Sequence, residues 1–245
     1  MQNLYDNNGS PLLNYYEAVG KSDDELWNSA EAQINSNIRR AYYARVIHSL
    51  DSSIILDYGG RTGVNISHES LNGKARYVYD FGRKKDSYVE GIIPLETLDL
   101  ENYFDIILCS HTLEHETDPV LTLRKLRKLI NPRGHLYLEV PFEFPERMIS
   151  RRPGGIWHVN YFSRKSLIEI ADRSSWLCRS MDLFYLPYNT FYNNCLVAIF
   201  SPDTSRRGMN KPVSNIEILK DVKQSLSNTL IASCLTLLRT IRFGK

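Results

Sequence analysis

The spacing of hydrophobic and polar positions changes several times along this chain, and each change marks an element. Trp27, Ile34, Ile38, Tyr42, Val46 and Ile47 recur at three- and four-residue steps. That is the period of an amphipathic helix, which the pattern predicts from Ser22 to about Leu50 with most of the stripe facing a sheet. Ser22, Asp23, Asp24 and Glu25 give it a capping residue and an acidic first turn. An apolar run from Ser53 then stops at Asp57 and turns through Gly59, Gly60 and Gly63. A strand apolar throughout suits a parallel sheet covered on both faces. A short helix over 64–71 follows, then strands at Arg76–Asp80, Val89–Ile93 and Phe104–Cys109. Asp118 and Pro119 open a helix that buries Val120, Leu123, Leu126 and Leu129 and turns Arg124, Lys125, Arg127 and Lys128 to solvent. Pro132 and Gly134 turn the chain into a fifth strand, His135–Val140. Ser163 caps a helix to about Arg173, and Met181–Leu186 and Leu196–Phe200 read as the last two strands.

This alternation predicts an α/β fold with a ligand site at the carboxyl ends of the strands. Its domain spans 22–200, preceded by a polar, loosely held arm over 1–21 and followed by a basic extension over 201–245. The extension carries eight Lys or Arg against three Asp or Glu and is helical in pattern from 215 to 241. Its apolar stretch, Leu230–Leu238, is too short to span a bilayer. It reads as a helix docking on the domain or on a second subunit, ahead of a membrane-surface anchor.

Composition narrows the function by exclusion. With 42% apolar and 24% charged residues the chain is an ordinary globular protein. A net charge of +2 gives no field to draw it to nucleic acid or a membrane. Cys109, Cys178, Cys195 and Cys234 lie far apart without C-x-x-C spacing, and the amino terminus lacks a signal peptide. Reduced thiols in a cytoplasm are expected, and no metal site.

Three readings of the glycine loop compete. A dinucleotide fingerprint starting at Gly59 would need glycines where Arg61 and Val64 stand, and no Gly-Lys-Ser/Thr follows to cradle a triphosphate. The third reading fits better. Asp57-x-Gly59-Gly60-Arg61-Thr62-Gly63 resembles the first motif of class I S-adenosylmethionine-dependent methyltransferases, with Arg61 where that family usually has its middle glycine. The run from Phe104 through His111, Glu114, His115, Asp118 and Pro119, and on through Pro132 and Gly134 to Pro141, resembles the fourth-to-fifth-strand block of the same family. It is similar to the small single-domain branch met among sugar and secondary-metabolite methyltransferases.

The resemblance implies a Rossmann-like, seven-stranded, mostly parallel sheet with an antiparallel last strand, helices on both faces, and strand order three-two-one-four-five-seven-six. It implies S-adenosylmethionine as cofactor, held by Asp57, Gly59, Gly60 and Gly63, with Ser110 and His111 at the fourth-strand mouth. Asp80, 23 residues past Asp57, would take the ribose hydroxyls, because an acidic residue closing the second strand accepts both. A polar segment over 141–162 reads as a lid, with Glu143, Arg147 and Tyr161 as acceptor-binding candidates; Arg151 and Arg152 add guanidinium forks. Tyr42 and Tyr43 are weaker acceptor contacts. For a hydroxyl acceptor a base is needed, and histidine titrates in the right range. His158 leads as the catalytic candidate, followed by His111 and His115. The expected function is methyl transfer to a polar small-molecule acceptor, a sugar or similar metabolite. A non-catalytic methyltransferase-like assembly protein and a nucleotide-dependent oxidoreductase are the alternatives.

Overall fold

The structure is a computed structural model that describes residues 30–81, 88–142, 158–187 and 194–203. The arm over 1–21, the start of the first predicted helix, most of the lid with Glu143 and Arg147, and nearly all of the basic extension lie outside the described residues.

Seven strands form one sheet: β1 (Ile54–Tyr58), β2 (Ala75–Tyr79), β3 (Ile93–Pro94), β4 (Phe104–Ser110), β5 (Ile130–Pro141), β6 (Trp176–Tyr185) and β7 (Asn194–Pro202). Their order is β3-β2-β1-β4-β5-β7-β6. All neighbouring pairs run parallel as far as β5, and β7 is antiparallel to both β5 and β6. The α/β class, the order and the antiparallel last strand agree with expectation.

Alternation along the strands builds two cores. Leu56, Ile107, Leu136 and Leu138 face helices α2 (Pro119–Leu129) and α3 (Arg164–Asp172), where Leu123, Leu126, Leu167 and Trp176 complete the packing. Ile55, Ile106, Leu108 and Tyr137 face the other way, onto Tyr43, Ala44, Val46 and Ile47 of helix α1 (Ala30–Ser49). Both helix starts on the first face follow from their caps: Asp118 Oδ1 accepts the Leu121 N–H at 2.8 Å, and Ser163 and Ser166 cap each other reciprocally. No helix among the described residues is long and apolar enough to cross a membrane.

Four expectations are corrected. The segment after the glycine loop is two short 3₁₀ turns, Val64–Ile66 and Glu69–Leu71, in place of one helix. The third strand is only Ile93–Pro94, paired with Tyr77 and Val78, and residues 89–92 lie outside it. β5 starts at Ile130 directly from α2; the Pro132–Gly134 turn survives as an irregularity, four residues of β5 standing against one of β4 between the Phe104–Ile130 and Ile106–His135 pairs. In α1, Ile34 and Ile38 are exposed while Asn35 is buried and Arg39 nearly so. The buried stripe therefore starts polar and becomes apolar at Tyr43, and Arg39 on it pairs with a buried carboxylate, Glu139.

Candidate active site

The end of β1 carries a carboxylate under a loop built to approach it. Asp57 is fully buried, and a Cβ on Gly60 would lie 2.1 Å from its carboxyl group. Only glycine fits there. Asn65 Nδ2 donates to Asp57 Oδ1 at 3.4 Å, a long bond, and Oδ2 has no hydrogen-bond partner among the described residues. Burial, with a smaller push from Asp80, drives the Asp57 carboxyl up to about 7, against the weak help of Asn65. Gly59 and Gly63 take φ of 73° and 79°. Arg61, at the position of the missing glycine, takes the left-handed conformation too, with φ 53°, and its N–H donates to Asp80 Oδ2 at 2.7 Å. The loop geometry is thus kept without the glycine, and Asp80 ties the end of β2 to it. Beside Asp80, Phe81 is more than half exposed and packs edge-on against Tyr79 and Tyr58.

The ends of β4 and β5 carry a second, larger group. Glu139, fully buried on β5, pairs with Arg39 of α1 at 2.8 Å and with His111 Nε2 at 2.9 Å on one oxygen. The Tyr43 and Tyr137 hydroxyls donate to its other oxygen at 2.9 Å each. With its one proton committed to Glu139, Tyr43 accepts from the Ser110 hydroxyl at 2.7 Å. Burial alone would raise the Glu139 carboxyl, but Arg39, His111 and Tyr137 outweigh it and hold the group below the usual carboxylate range.

His111 follows Ser110 with φ 51°, a strained conformation for a non-glycine residue. Its Nδ1 lies 3.4 Å from Glu114 Oε1, so its two nitrogens face two buried carboxylates. Burial opposes a charged ring, yet Cys195 and the two carboxylates raise it well above the ordinary histidine value. The carboxylates carry that effect, since burial keeps the Cys195 thiol protonated. An imidazolium hydrogen-bonded to Glu139 and facing Glu114 is the result. Glu114 and His115 sit on the single 3₁₀ turn Leu113–His115. His158, also buried, comes to the same place: its Nε2 is 4.0 Å from Glu114 Oε1, with His115 Nε2 at 3.9 Å from that atom. The Val159 and Asn160 N–H groups both donate to the Glu114 carbonyl at 3.0 Å, which fixes the approach. The Tyr161 ring stands 6.2 Å from His158.

Of the residues singled out from sequence, Asp57, Gly59, Gly60, Gly63 and Asp80 come together at the β1 and β2 ends. Ser110, His111, His115, His158 and Tyr161 come together beyond β4. Tyr43 reaches the second group through Glu139, and Tyr42 flanks that group, its ring edge-on to Tyr137 at 6.3 Å and stacked on Phe184 at 4.6 Å. Sequence reasoning passed over Arg39, Glu114, Glu139, Cys195 and Phe81. Glu139 had a visible signal, a charge inside the apolar run Leu136–Val140. Arg39 had one as well, four residues before Tyr43 on the same helix face.

Comparison with known proteins agrees with this layout. A family described as a methyltransferase domain matches residues 32–176. A ubiquinone biosynthesis O-methyltransferase of Vibrio cholerae is 24% identical over 166 residues, 63% of this chain and 62% of its own length. One from Yersinia enterocolitica is 29% identical over 76 residues, 31% of each chain. This chain therefore spans less than two thirds of either relative. Among solved structures, Burkholderia thailandensis 1,6-didemethyltoxoflavin-N1-methyltransferase with S-adenosylhomocysteine matches with TM-score 0.54 and 16% identity over 76% of this chain and 88% of that one. Magnesium protoporphyrin IX methyltransferase of Synechocystis PCC 6803 matches with TM-score 0.55 and 11% identity over 77% of this chain and 96% of that one. By the family match, with the fold in agreement, the chain belongs to the class I S-adenosylmethionine-dependent methyltransferases.

Proposed function

We propose that this protein is a water-soluble, cytoplasmic enzyme that transfers the methyl group of S-adenosylmethionine to an oxygen of a polar small molecule. The observation that carries the reading is the loop at Gly60: backbone stripped of Cβ lies over a buried carboxylate that keeps an unpartnered oxygen. A buried polar atom without a partner is costly and is kept where a ligand supplies one. The amino-acid end of the cofactor, with its ammonium, meets Asp57 and the loop. Asp80 takes the ribose hydroxyls, and the exposed face of Phe81 offers the purine a stacking surface.

The acceptor then lies across β4, against Glu114, His115, His158 and Tyr161. Methyl transfer is an in-line displacement: the acceptor oxygen forms a bond to the methyl carbon as the carbon–sulfur bond breaks and the electron pair stays on sulfur. The acceptor proton must leave, and the imidazoles of His115 and His158 stand where it is released. His111, held between two carboxylates, has no nitrogen to spare for that proton. The names of the curated relatives support oxygen as the methylated atom. A sugar is one acceptor within this class, and none of the relatives reported above carries one in its name.

Thermal shift with S-adenosylmethionine, S-adenosylhomocysteine and nicotinamide cofactors tests the reading. Stabilisation by the first two and not the third is expected; the reverse would make the protein an oxidoreductase. Asp80→Ala removes a charge-assisted contact and should weaken S-adenosylmethionine by about 1.5–3 kcal/mol, roughly ten- to a hundredfold. Unchanged affinity by calorimetry in a folded variant removes Asp80 from the site.

A further inference from the structure

Glu114 is 1% exposed, and neither of its carboxylate oxygens has a hydrogen-bond partner among the described residues. Three imidazole nitrogens nevertheless surround Oε1, from His111 at 3.4 Å, His115 at 3.9 Å and His158 at 4.0 Å. For His115 and His158 these gaps are too long for hydrogen bonds and suit something placed between the atoms. Two ligands each about 2.1 Å from one tetrahedral ion stand about 3.4 Å apart, and the donor atoms of Glu114, His115 and His158 all lie within 4.8 Å of one another. The ligands come from two segments locked together, since the residues after His158 donate two N–H bonds to the Glu114 carbonyl.

We propose that Glu114, His115 and His158 bind one divalent transition-metal cation. Two imidazoles and a carboxylate are a borderline nitrogen–oxygen set that suits zinc, cobalt or iron, and three protein ligands leave a position open for an exogenous oxygen. His111 then belongs to the outer shell: it orients Glu114 through Nδ1 while Nε2 is anchored on Glu139. A neighbouring trio, His111, Glu139 and Cys195, is as compact. It is not a metal site, because both Glu139 oxygens are already taken by Arg39, His111, Tyr43 and Tyr137.

The ion gives the acceptor hydroxyl its activation, and that role alone rests on the methyl-transfer reading. A bound hydroxyl loses its proton to solvent near neutral pH. Its oxygen forms the new bond to the methyl carbon, the carbon–sulfur bond breaks, and S-adenosylhomocysteine leaves with the electron pair. His115 and His158 then serve as ligands rather than as the proton acceptor itself.

The test uses the full chain, stripped with a chelator and titrated with cobalt(II). The expected result is a visible absorption band that saturates at one equivalent and is displaced by zinc(II). His115→Asn and His158→Asn should each weaken cobalt at least tenfold while keeping the far-ultraviolet circular dichroism of the wild type. Absence of a saturable band, or an unchanged isotherm in both folded variants, overturns the site. A cobalt site with no stabilisation by S-adenosylmethionine keeps the ion and overturns the methyl-transfer reading instead.

Discussion

Asp57 and Glu139 are both carboxylates at the carboxyl end of a buried strand, on the same face of the sheet, and both are fully buried. They are treated in opposite ways. Glu139 has four polar partners within 2.9 Å, two of them cationic, and its charge is held more firmly than in water. Asp57 has one long bond and an orphaned oxygen, and its charge is so poorly supported that it binds a proton near neutral pH. A satisfied buried charge is scaffolding; an unsatisfied one, on the reading proposed above, answers a ligand that brings its own positive end. The difference runs along the sheet, with the sparsely bonded carboxylate and its glycine loop on β1 and a densely bonded polar block at the ends of β4 and β5.

The contrast can be broken hardest at Glu139. Glu139→Gln leaves Arg39 buried without its counter-ion and should destabilise the fold by about 3–5 kcal/mol in denaturant titration. A loss below about 1 kcal/mol would show that the block does not hold the structure. Its pH signature follows from sign: a carboxyl depressed in the folded state adds stability above its ordinary value near 4 and loses it as pH falls further.

Asp57 should show the opposite slope. Its folded value, about 7, lies above the unfolded one, so between about pH 4 and 7 the folded chain binds a proton that the unfolded chain does not. That contribution is complete below about pH 4 and lost as pH rises through 7. From pH 5 to pH 8 the ligand-free protein should therefore lose about 2–3 kcal/mol relative to Asp57→Asn. Parallel stability profiles for the two proteins would mean that Asp57 is ionised throughout, and the comparison with Glu139 would collapse.

Tyr43→Phe is the finest probe. It removes one of four polar partners of Glu139 and the acceptor for Ser110, at about 1–2 kcal/mol, with cofactor affinity unchanged. A shift in cofactor affinity comparable to that of Asp80→Ala would couple the two regions.

How much of this was legible in the sequence depended on which force decided each residue. Apolar runs marked β1, β2 and β4 to within one or two residues, because hydrophobic burial alone places a central parallel strand. β6 runs from Trp176, well before the predicted start at Met181, since at the sheet edge Cys178, Arg179 and Ser180 can stay in a strand without being buried. Helix α1 misled for the reverse reason: Asn35 and Arg39 turn inward, Arg39 onto Glu139, and hydrophobic periodicity has no sign for a buried arginine. The glycine loop announced itself through residue type. The grouping of His158 with Glu114 did not, because 44 positions separate them and only the folded chain closes that distance.

The reversed direction of β7 has its own consequence. A parallel strand delivers only its finish to the rim of the sheet where the site lies, whereas β7 begins there. Asn194 is bonded both ways to Phe142, and Cys195 lies 3.6 Å from His111. The amino-terminal end of β7 therefore stands at the polar group beyond β4, with β5 and β4 between it and the β1 loop. Substitutions at the start of β7 therefore act directly on the His111–Glu139 block and reach the β1 loop only through two intervening strands, so the two regions are free to change along separate stretches of chain.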